Sequence, residues 1–383
     1  MKILIIARGI PSDKHPQDGC FEWDQAKALT AKGHEIVVMS IDGRVRKYWR
    51  SPGIKKYDKD NVTAYKLFYF PTAIIRRLIS FKLGYKIESM LAKRLYRYIV
   101  KRHGKFDIVH AHYLTTAYLG AEIKKKNDIK LVATEHWSAL KESVLTKEVQ
   151  YLGDNSYPFV DSLISVSRHL GESIKSHFGN DFYVVNNLID TEGLQPAVEH
   201  TDNSHYTIVA VGTLLPIKGY DILIRAFEKS TLKNKNVILK IIGNGPERAN
   251  LEKLISDLSL SEKIILCGQL PKSDVYNALH TADLYVLSSR SENFPVALIE
   301  ATANGVPAIA TLCGGPQENK VSAVYKVPPE NIEALAEALD ACYDEKDEID
   351  RTAIQKETLS YYSPGVIATQ LIDIYNYTRN QAN

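Results

Sequence analysis

Methionine, tryptophan and cysteine are scarce in this chain of 383 residues, at three, three and four. The cysteines (Cys20, Cys267, Cys313 and Cys342) lie far apart, which excludes a zinc ribbon, a C-x-x-C redox pair and the disulfide framework of a small secreted domain. They read as thiols of a reducing cytoplasm. No run of 18 or more apolar residues occurs, so no helix is expected to span a bilayer. The apolar start, Ile3-Leu4-Ile5-Ile6-Ala7, is too short for a signal-peptide core and reads as a buried first strand. Internal repeats, low-complexity tracts and nucleic-acid recognition motifs are also missing, which removes nucleic acid as an expected partner. What remains is an ordinary globular composition, 45% hydrophobic and 24% charged. The length exceeds a single core and predicts two or three domains.

Charge is unevenly spread. Residues 1–190 carry 31 Lys and Arg against 20 Asp and Glu, and the rest carries 17 against 25, for a net +3. Ordinary surface variation accounts for such a split as well as two domains with different partners would. Short apolar runs alternate with amphipathic segments. Strands are expected near 1–7, 35–40, 107–111, 130–134, 162–165 and 182–185, with a helix over 22–32. A second series has strands at 206–211, 237–242, 263–267, 282–288 and 308–311. Its helices are expected at 220–229, 248–258, 273–279, 295–303 and 331–343, and a last helix at 364–379. The polar stretch 192–205 reads as a linker. This rhythm predicts an α/β protein of two tandem Rossmann-like, doubly wound domains facing a central cleft, with ligands beyond the C-terminal strand ends. The expected boundaries are 1–190, 191–363, and a C-terminal helix in 364–383 crossing back to the first domain.

The segment Ser291 to Gly305 carries the chemistry. A strand ends near Ser288, Pro295 fits a first helical turn, and Gly305 with Pro307 ends the helix. Glu292 then lies before the helix and Glu300 more than one turn inside it. The open N–H groups of a helix start suit an anion, and the two carboxylates suit hydroxyls on either side of it. A nucleoside-diphosphate sugar has that pattern. Four further loops follow strands: Gly212 to Gly219 with Lys218, Gly243-Asn244-Gly245-Pro246, Gly268-Gln269-Leu270, and Gly314-Gly315-Pro316-Gln317-Glu318. Each alone is a turn signal, and together they favour a nucleotide-diphosphate site.

These motifs resemble glycosyltransferase family 4, retaining enzymes of the GT-B fold, and the likeness spans most of the chain. The E-x7-E motif is Glu292 and Glu300, and the V-G-x-L-x-x-x-K-G segment is Val211 to Gly219. The G-x-G-P turn is Gly243 to Pro246, G-G-x-x-E is Gly314 to Glu318, and the hinge N-x-x-D is Asn187 to Asp190. The resemblance implies that Glu300 holds the ribose and Glu292 the donor sugar, acting with His136 and Lys218 in catalysis. Asn293, Phe294, Pro295 and Val296 would contact sugar or phosphate, with Thr213, Gly243, Gln269 and Leu270 also on the donor side. His136 follows Thr134-Glu135 at a strand end. Gly19, after Pro16-Gln17-Asp18, resembles the glycine loop that approaches diphosphate and acceptor. Thr213 stands where the family often has Arg, the first loop has one Gly where many members have two, and the usual Gly-Leu-Leu after Glu318 is missing.

The resemblance further implies transfer without a metal or other cofactor, from a nucleotide-sugar donor to a saccharide or polyprenyl-linked saccharide acceptor. That suits surface polysaccharide or glycoconjugate synthesis. A sugar-nucleotide epimerase or a non-catalytic sugar-nucleotide-binding protein on the same fold is the alternative. Residues 76–105 hold ten Lys and Arg and one acid, Glu88, with Ile87, Leu91, Leu95 and Tyr98 or Ile99 as a helical stripe. They form either a core-facing helix with a solvated basic face or a dock for anionic lipid on the inner face of the plasma membrane. His110 and His112 fall on one strand face, as polar cleft or supporting residues rather than metal ligands. Asp58-Lys59-Asp60, a formal D-x-D, reads as part of a polar loop and not as a metal site.

Overall fold

A computed structural model describes residues 1–12, 15, 17–44, 51–69, 71–197 and 205–381. Pro16 of the first glycine loop and residues 198–204 of the expected linker lie outside them. The chain divides into two compact units: Met1–Leu188 with Pro364–Asn383, and Ile189–Ser363.

Unit 1 runs β1 (Lys2–Ala7), α1 (Cys20–Ala31), β2 (Glu35–Ile41), β3 (Gly53–Lys59), β4 (Val62–Phe68), α2 (Thr72–Leu78), α3 (Phe81–His103), β5 (Ile108–His112), α4 (Leu114–Lys124), β6 (Leu131–Glu135), α5 (Lys147–Ser156), β7 (Ser162–Ser165), α6 (Arg168–Phe178) and β8 (Tyr183–Val184). The strand order is β3-β4-β2-β1-β5-β6-β7-β8, parallel except for the β3–β4 hairpin. After Lys2, β1 is apolar because both sheet faces are covered. Ile3, Ile5 and Ala7 pack with Trp23 and Leu29 of α1, while α4 lies over the other face.

Unit 2 runs β9 (Tyr206–Val211), α7 (Tyr220–Lys229), β10 (Val237–Ile242), α8 (Arg248–Asp257), β11 (Ile264–Gly268), α9 (Lys272–His280), β12 (Leu284–Leu287), α10 (Val296–Ala303), β13 (Ala308–Thr311), β14 (Val324–Val327), α11 (Ile332–Asp344) and α12 (Arg351–Tyr362). Its parallel sheet has the order β11-β10-β9-β12-β13-β14. Side chains of α7, α8 and α11 fill one core layer, and those of α9, α10 and α12 the other. The last helix, α13 (Pro364–Asn380), packs in unit 1, where Ile367, Leu371, Ile374 and Tyr375 join α1 against the sheet.

Parallel β–α–β winding puts every strand-to-helix loop at one sheet edge. In each unit the strand order reverses at one point, between β1 and β5 in unit 1 and between β9 and β12 in unit 2. A crevice opens outside the strand ends at such a point.

Two readings change. Asp58 and Lys59 are in β3, and Asp60 with Asn61 makes the hairpin turn at φ 55° and 58°. Asp-Asn suits a mirror-image turn, which needs positive φ at both positions. Asp60 accepts from Trp23 Nε1 at 2.9 Å, and Asp58 pairs with Lys56 at 2.7 Å. In α3 the buried face is Tyr85, Glu88, Ala92, Leu95, Tyr96 and Ile99, whereas Ile87, Leu91 and Tyr98 are half-buried. Periodicity sets an acid on the solvent side, but Glu88 can be buried because Thr72 donates to it and Arg76 lies 3.6 Å away.

Candidate active site

The switch point of unit 2 joins the two loops that hold Lys218 and Glu292. After β9, residues 212–215 lead into a tight turn, Pro216–Lys218. After β12, residues 288–295 lead into α10. Lys218 Nζ sits 2.6 Å from Glu292 Oε1, and Ser289 donates to the same oxygen at 2.8 Å. Both charged side chains still reach solvent, at 25% and 13% exposure. The pair is thus open on one side, and a competing anion can reach Lys218. The Glu292 backbone is fixed on both sides: its N–H donates to Cys313 O at 3.0 Å, and its carbonyl accepts from Gly315 N at 3.1 Å.

Arg290, not singled out by the sequence, holds the Lys218 turn. Its backbone N–H donates to Ile217 O at 2.7 Å. Its guanidinium binds Asp221 at 3.0 and 2.9 Å and Glu330 at 2.7 Å. These partners are far apart in the chain, so no local pattern marks it.

Glu300 is half-buried on α10, with the Tyr276 hydroxyl 3.5 Å away. Asn293 and Phe294 are in the loop before α10. Pro295 is the residue just ahead of the helix rather than within its first turn. The Val296 N–H donates to Phe294 O at 3.1 Å, so it is not among the open donors at this helix start.

Thr213 is exposed beside Leu214, whose N–H donates to Asn244 O at 3.1 Å. Gly243 has φ 147°, and a side-chain carbon there would lie 1.9 Å from Gly212 O. The missing side chain therefore serves close packing of one loop on another. Gln269 is exposed, and Leu270 packs against the core layer containing α10.

In unit 1, His136 follows β6 and is buried. Its ring stacks on Tyr113 (centroids 4.6 Å apart) and its Nε2 meets His112 Nδ1 at 3.2 Å. Burial, aided by the Arg8 charge, pulls its pKa down to about 3, so it is a neutral imidazole. His110 and His112 share a face as expected, with rings 4.2 Å apart, but both are fully buried and lie in no cleft. His110 is wedged between Thr134 and Tyr375 hydroxyls, 2.7 Å from each. Glu135 is also fully buried. It sits near the Tyr157 hydroxyl without a well-formed hydrogen bond, and burial pushes its pKa up to about 8. Gly19 (φ 72°) packs on Gly9: a side-chain carbon there would lie 2.3 Å from Gly9 O. Gly9 in turn lies against Asp18, where a side-chain carbon would lie 2.9 Å from Asp18 Cβ.

Comparison with known proteins identifies the family and the fold. A family profile for Glycosyltransferase Family 4 matches residues 23–193, and one for Glycosyl transferases group 1 matches residues 193–358. The chain belongs to glycosyltransferase family 4. It is 25% identical over 321 residues to a phosphatidylinositol N-acetylglucosaminyltransferase chain of Arabidopsis thaliana, covering 82% of this chain and 66% of that one. It is also 25% identical over 235 residues to the D-inositol 3-phosphate glycosyltransferase of Pseudarthrobacter chlorophenolicus, covering 56% of each. The chain thus spans about two thirds or less of these relatives' length. Anabaena HepE, solved in complex with UDP-glucose, superimposes with a TM-score of 0.71 at 16% identity over 98% of this chain and all of that one. That likeness gives the family-4 protein the GT-B fold of two Rossmann-like units.

Proposed function

We propose that this family-4 protein transfers a sugar, with retained anomeric configuration, from a nucleoside-diphosphate sugar to an acceptor hydroxyl. The observation that carries the reading is the Lys218–Glu292 pair at the switch point of unit 2. Binding of the donor would exchange partners: the diphosphate takes the Lys218 ammonium, and Glu292 is released to accept from the sugar hydroxyls. Glu300 holds the ribose. The Asn293 and Phe294 amides meet sugar and phosphate, with Thr213, Gly243, Gln269 and Leu270 around the nucleotide. Neutral His136 and the Gly19 loop contribute hydrogen bonds to the sugar and diphosphate, not charge.

In the transfer step the acceptor oxygen bonds to the anomeric carbon as the bond to the diphosphate oxygen breaks. The acceptor proton passes to that oxygen. Rate enhancement comes from positioning and from Lys218 opposite the growing negative charge, so neither a carboxylate pair nor a metal is assigned a role. The relatives' names, which include phosphatidylinositol and inositol phosphate, together with the HepE complex, support a nucleotide-sugar donor and a polyol, saccharide or lipid-linked acceptor.

A second observation favours peripheral docking on anionic lipid. Lys82, Lys86, Met90, Arg94, Arg97 and Lys101 form one exposed stripe of α3, and Leu78 and Ile79 beside it are 76% and 71% exposed. Cations beside bare apolar side chains suit a membrane surface. Among the described residues no helix is long and apolar enough to cross one.

Release of nucleoside diphosphate from a donor panel tests the proposal. Release that depends on acceptor and fails in Lys218→Ala supports it. Donor binding without turnover under any acceptor would favour a non-catalytic binding protein.

A further inference from the structure

The switch point of unit 1, between β1 and β5, opens on a cavity of about 310 Å³. This is at the small end of the roughly 300–1,000 Å³ typical of small-molecule sites. Three arginines from three segments line it: Arg8 directly after β1, Arg44 after β2, and Arg76 from α2. Gln17, Asp18, Glu88, Thr115 and Thr116 make up the rest of the polar wall, so two carboxylates share it with the arginines.

Three guanidiniums in so small a space repel one another, so their placement needs an account. Arg8 spends Nε on buried Glu22 at 3.4 Å and lays its guanidinium over the Tyr113 ring at 3.3 Å. Arg44 is held by Asp42 at 3.0 Å and Asp18 at 2.7 Å. Burial opposes the Asp42 charge, but Arg44, then Lys66, keeps its carboxyl well below the usual range. Arg76 lies 4.8 Å from the Tyr85 ring centre and 3.6 Å from Glu88. Its stem fits only because residue 84 is glycine, where a side-chain carbon would lie 2.2 Å from Arg76 Cγ. Burial pushes the Glu88 carboxyl up, which weakens its claim on Arg76. The arginine side chains are 39%, 37% and 26% exposed, so each guanidinium is held by a carboxylate yet still reachable.

Resting on the glycosyltransferase reading above, we infer that this cavity binds the phosphate of a phosphorylated acceptor, with Arg8, Arg44 and Arg76 as its ligands. Guanidinium forks match phosphate oxygens two at a time, and the Thr115 hydroxyl adds a donor. The phosphate can belong to a soluble sugar or polyol phosphate or to a phospholipid headgroup.

Two measurements test this. Nucleoside diphosphate release is followed with glucose or glucose 6-phosphate, with myo-inositol or its 1-phosphate, and with vesicles of phosphatidylcholine with or without phosphatidylinositol. Independently, inorganic phosphate and glucose 6-phosphate are titrated calorimetrically into the full chain and into Arg8→Gln and Arg76→Gln. Arg225→Gln, which removes an exposed charge from α7, is the control. The expected result is a phosphorylated acceptor preferred over its neutral partner, the soluble or vesicle arm naming the source. Each cavity variant raises acceptor KM and weakens the titration by about 10–100-fold, as loss of a charged hydrogen bond does. Donor KM stays constant. Equal rates for neutral and phosphorylated acceptors, or undiminished titration in both cavity variants, would overturn the assignment. Phosphate titration lost in the variants, with no transfer from any donor, would uphold the cavity and sink the transferase reading instead.

Discussion

Lys218 and Glu292 pair with each other, and Ser289 gives Glu292 a second partner, which makes their roles separable. Lys218→Ala leaves Glu292 its Ser289 partner, so the fold should persist. Turnover should fall about 10²-fold with a smaller change in donor KM, because the cation matters most as charge grows on the leaving group. Steady-state kinetics on both parameters checks this. Glu300→Ala, in contrast, should lose donor binding in a titration.

The buried titratable groups of unit 1 predict a pH profile. His110, His112 and His136 have folded pKa values below the unfolded 6.5, so their contribution is complete above that pH and is lost as pH falls through it. Glu135 is raised to about 8, so its contribution is complete below about 4.5 and is lost as pH rises towards 8. Denaturant midpoints should therefore fall below pH 6.5, with three histidines outweighing one glutamate, and decline gently from 6.5 to 8. Glu135→Gln should flatten the upper limb and steepen the fall between about 6.5 and 4.5. An unchanged slope there would show that Glu135 is ionised in the folded state.

Among the elements, α13 ties the chain's last segment to unit 1 through Ile367, Leu371, Ile374 and Tyr375. Burial of each is worth on the order of 1.5–3 kcal/mol, comparable in sum with the whole stability of a domain. Removing residues 364–383 should abolish cooperative unfolding of unit 1 in calorimetry. Tyr375→Phe, which leaves His110 Nδ1 without its hydroxyl partner, should cost about 1–3 kcal/mol. At the other unit's loops, Gly243→Ala should destabilise by about 1–3 kcal/mol through overpacking on Gly212.

Legibility follows burial. β9, β10 and β13 are readable to the residue because a parallel strand covered on both faces is an apolar run. β3 is not, because Gly-Ile-Lys-Lys-Tyr-Asp-Lys is an exposed edge strand whose lysines guard against pairing with other chains. The face of α3 departs from its sequence pattern because a buried acid depends on Thr72 and Arg76, partners that periodicity does not see. In the site, Lys218 and Glu292 are legible as residue types in loops after strands. Arg8, Arg44 and Arg76 are not, since only the strand order brings their three segments together.

For the molecule as a whole, the excess of positive charge in residues 1–190 has a location in the α3 stripe and the arginine-lined cavity. Co-sedimentation with anionic vesicles should be strong at low salt and weaken as salt rises, with neutral vesicles left unbound. Lys86→Glu with Arg94→Glu should remove it without altering release of nucleoside diphosphate to a soluble acceptor. The most direct test of the central claim is thermal unfolding across a panel of nucleoside-diphosphate sugars, run on the wild type and on Glu300→Ala. One donor at about 100 times its Kd should stabilise the wild type by about 2.7 kcal/mol and leave the variant unmoved. Stabilisation by no donor, or an equal shift in both proteins, would contradict a nucleotide-sugar site built on Glu292, Lys218 and Glu300.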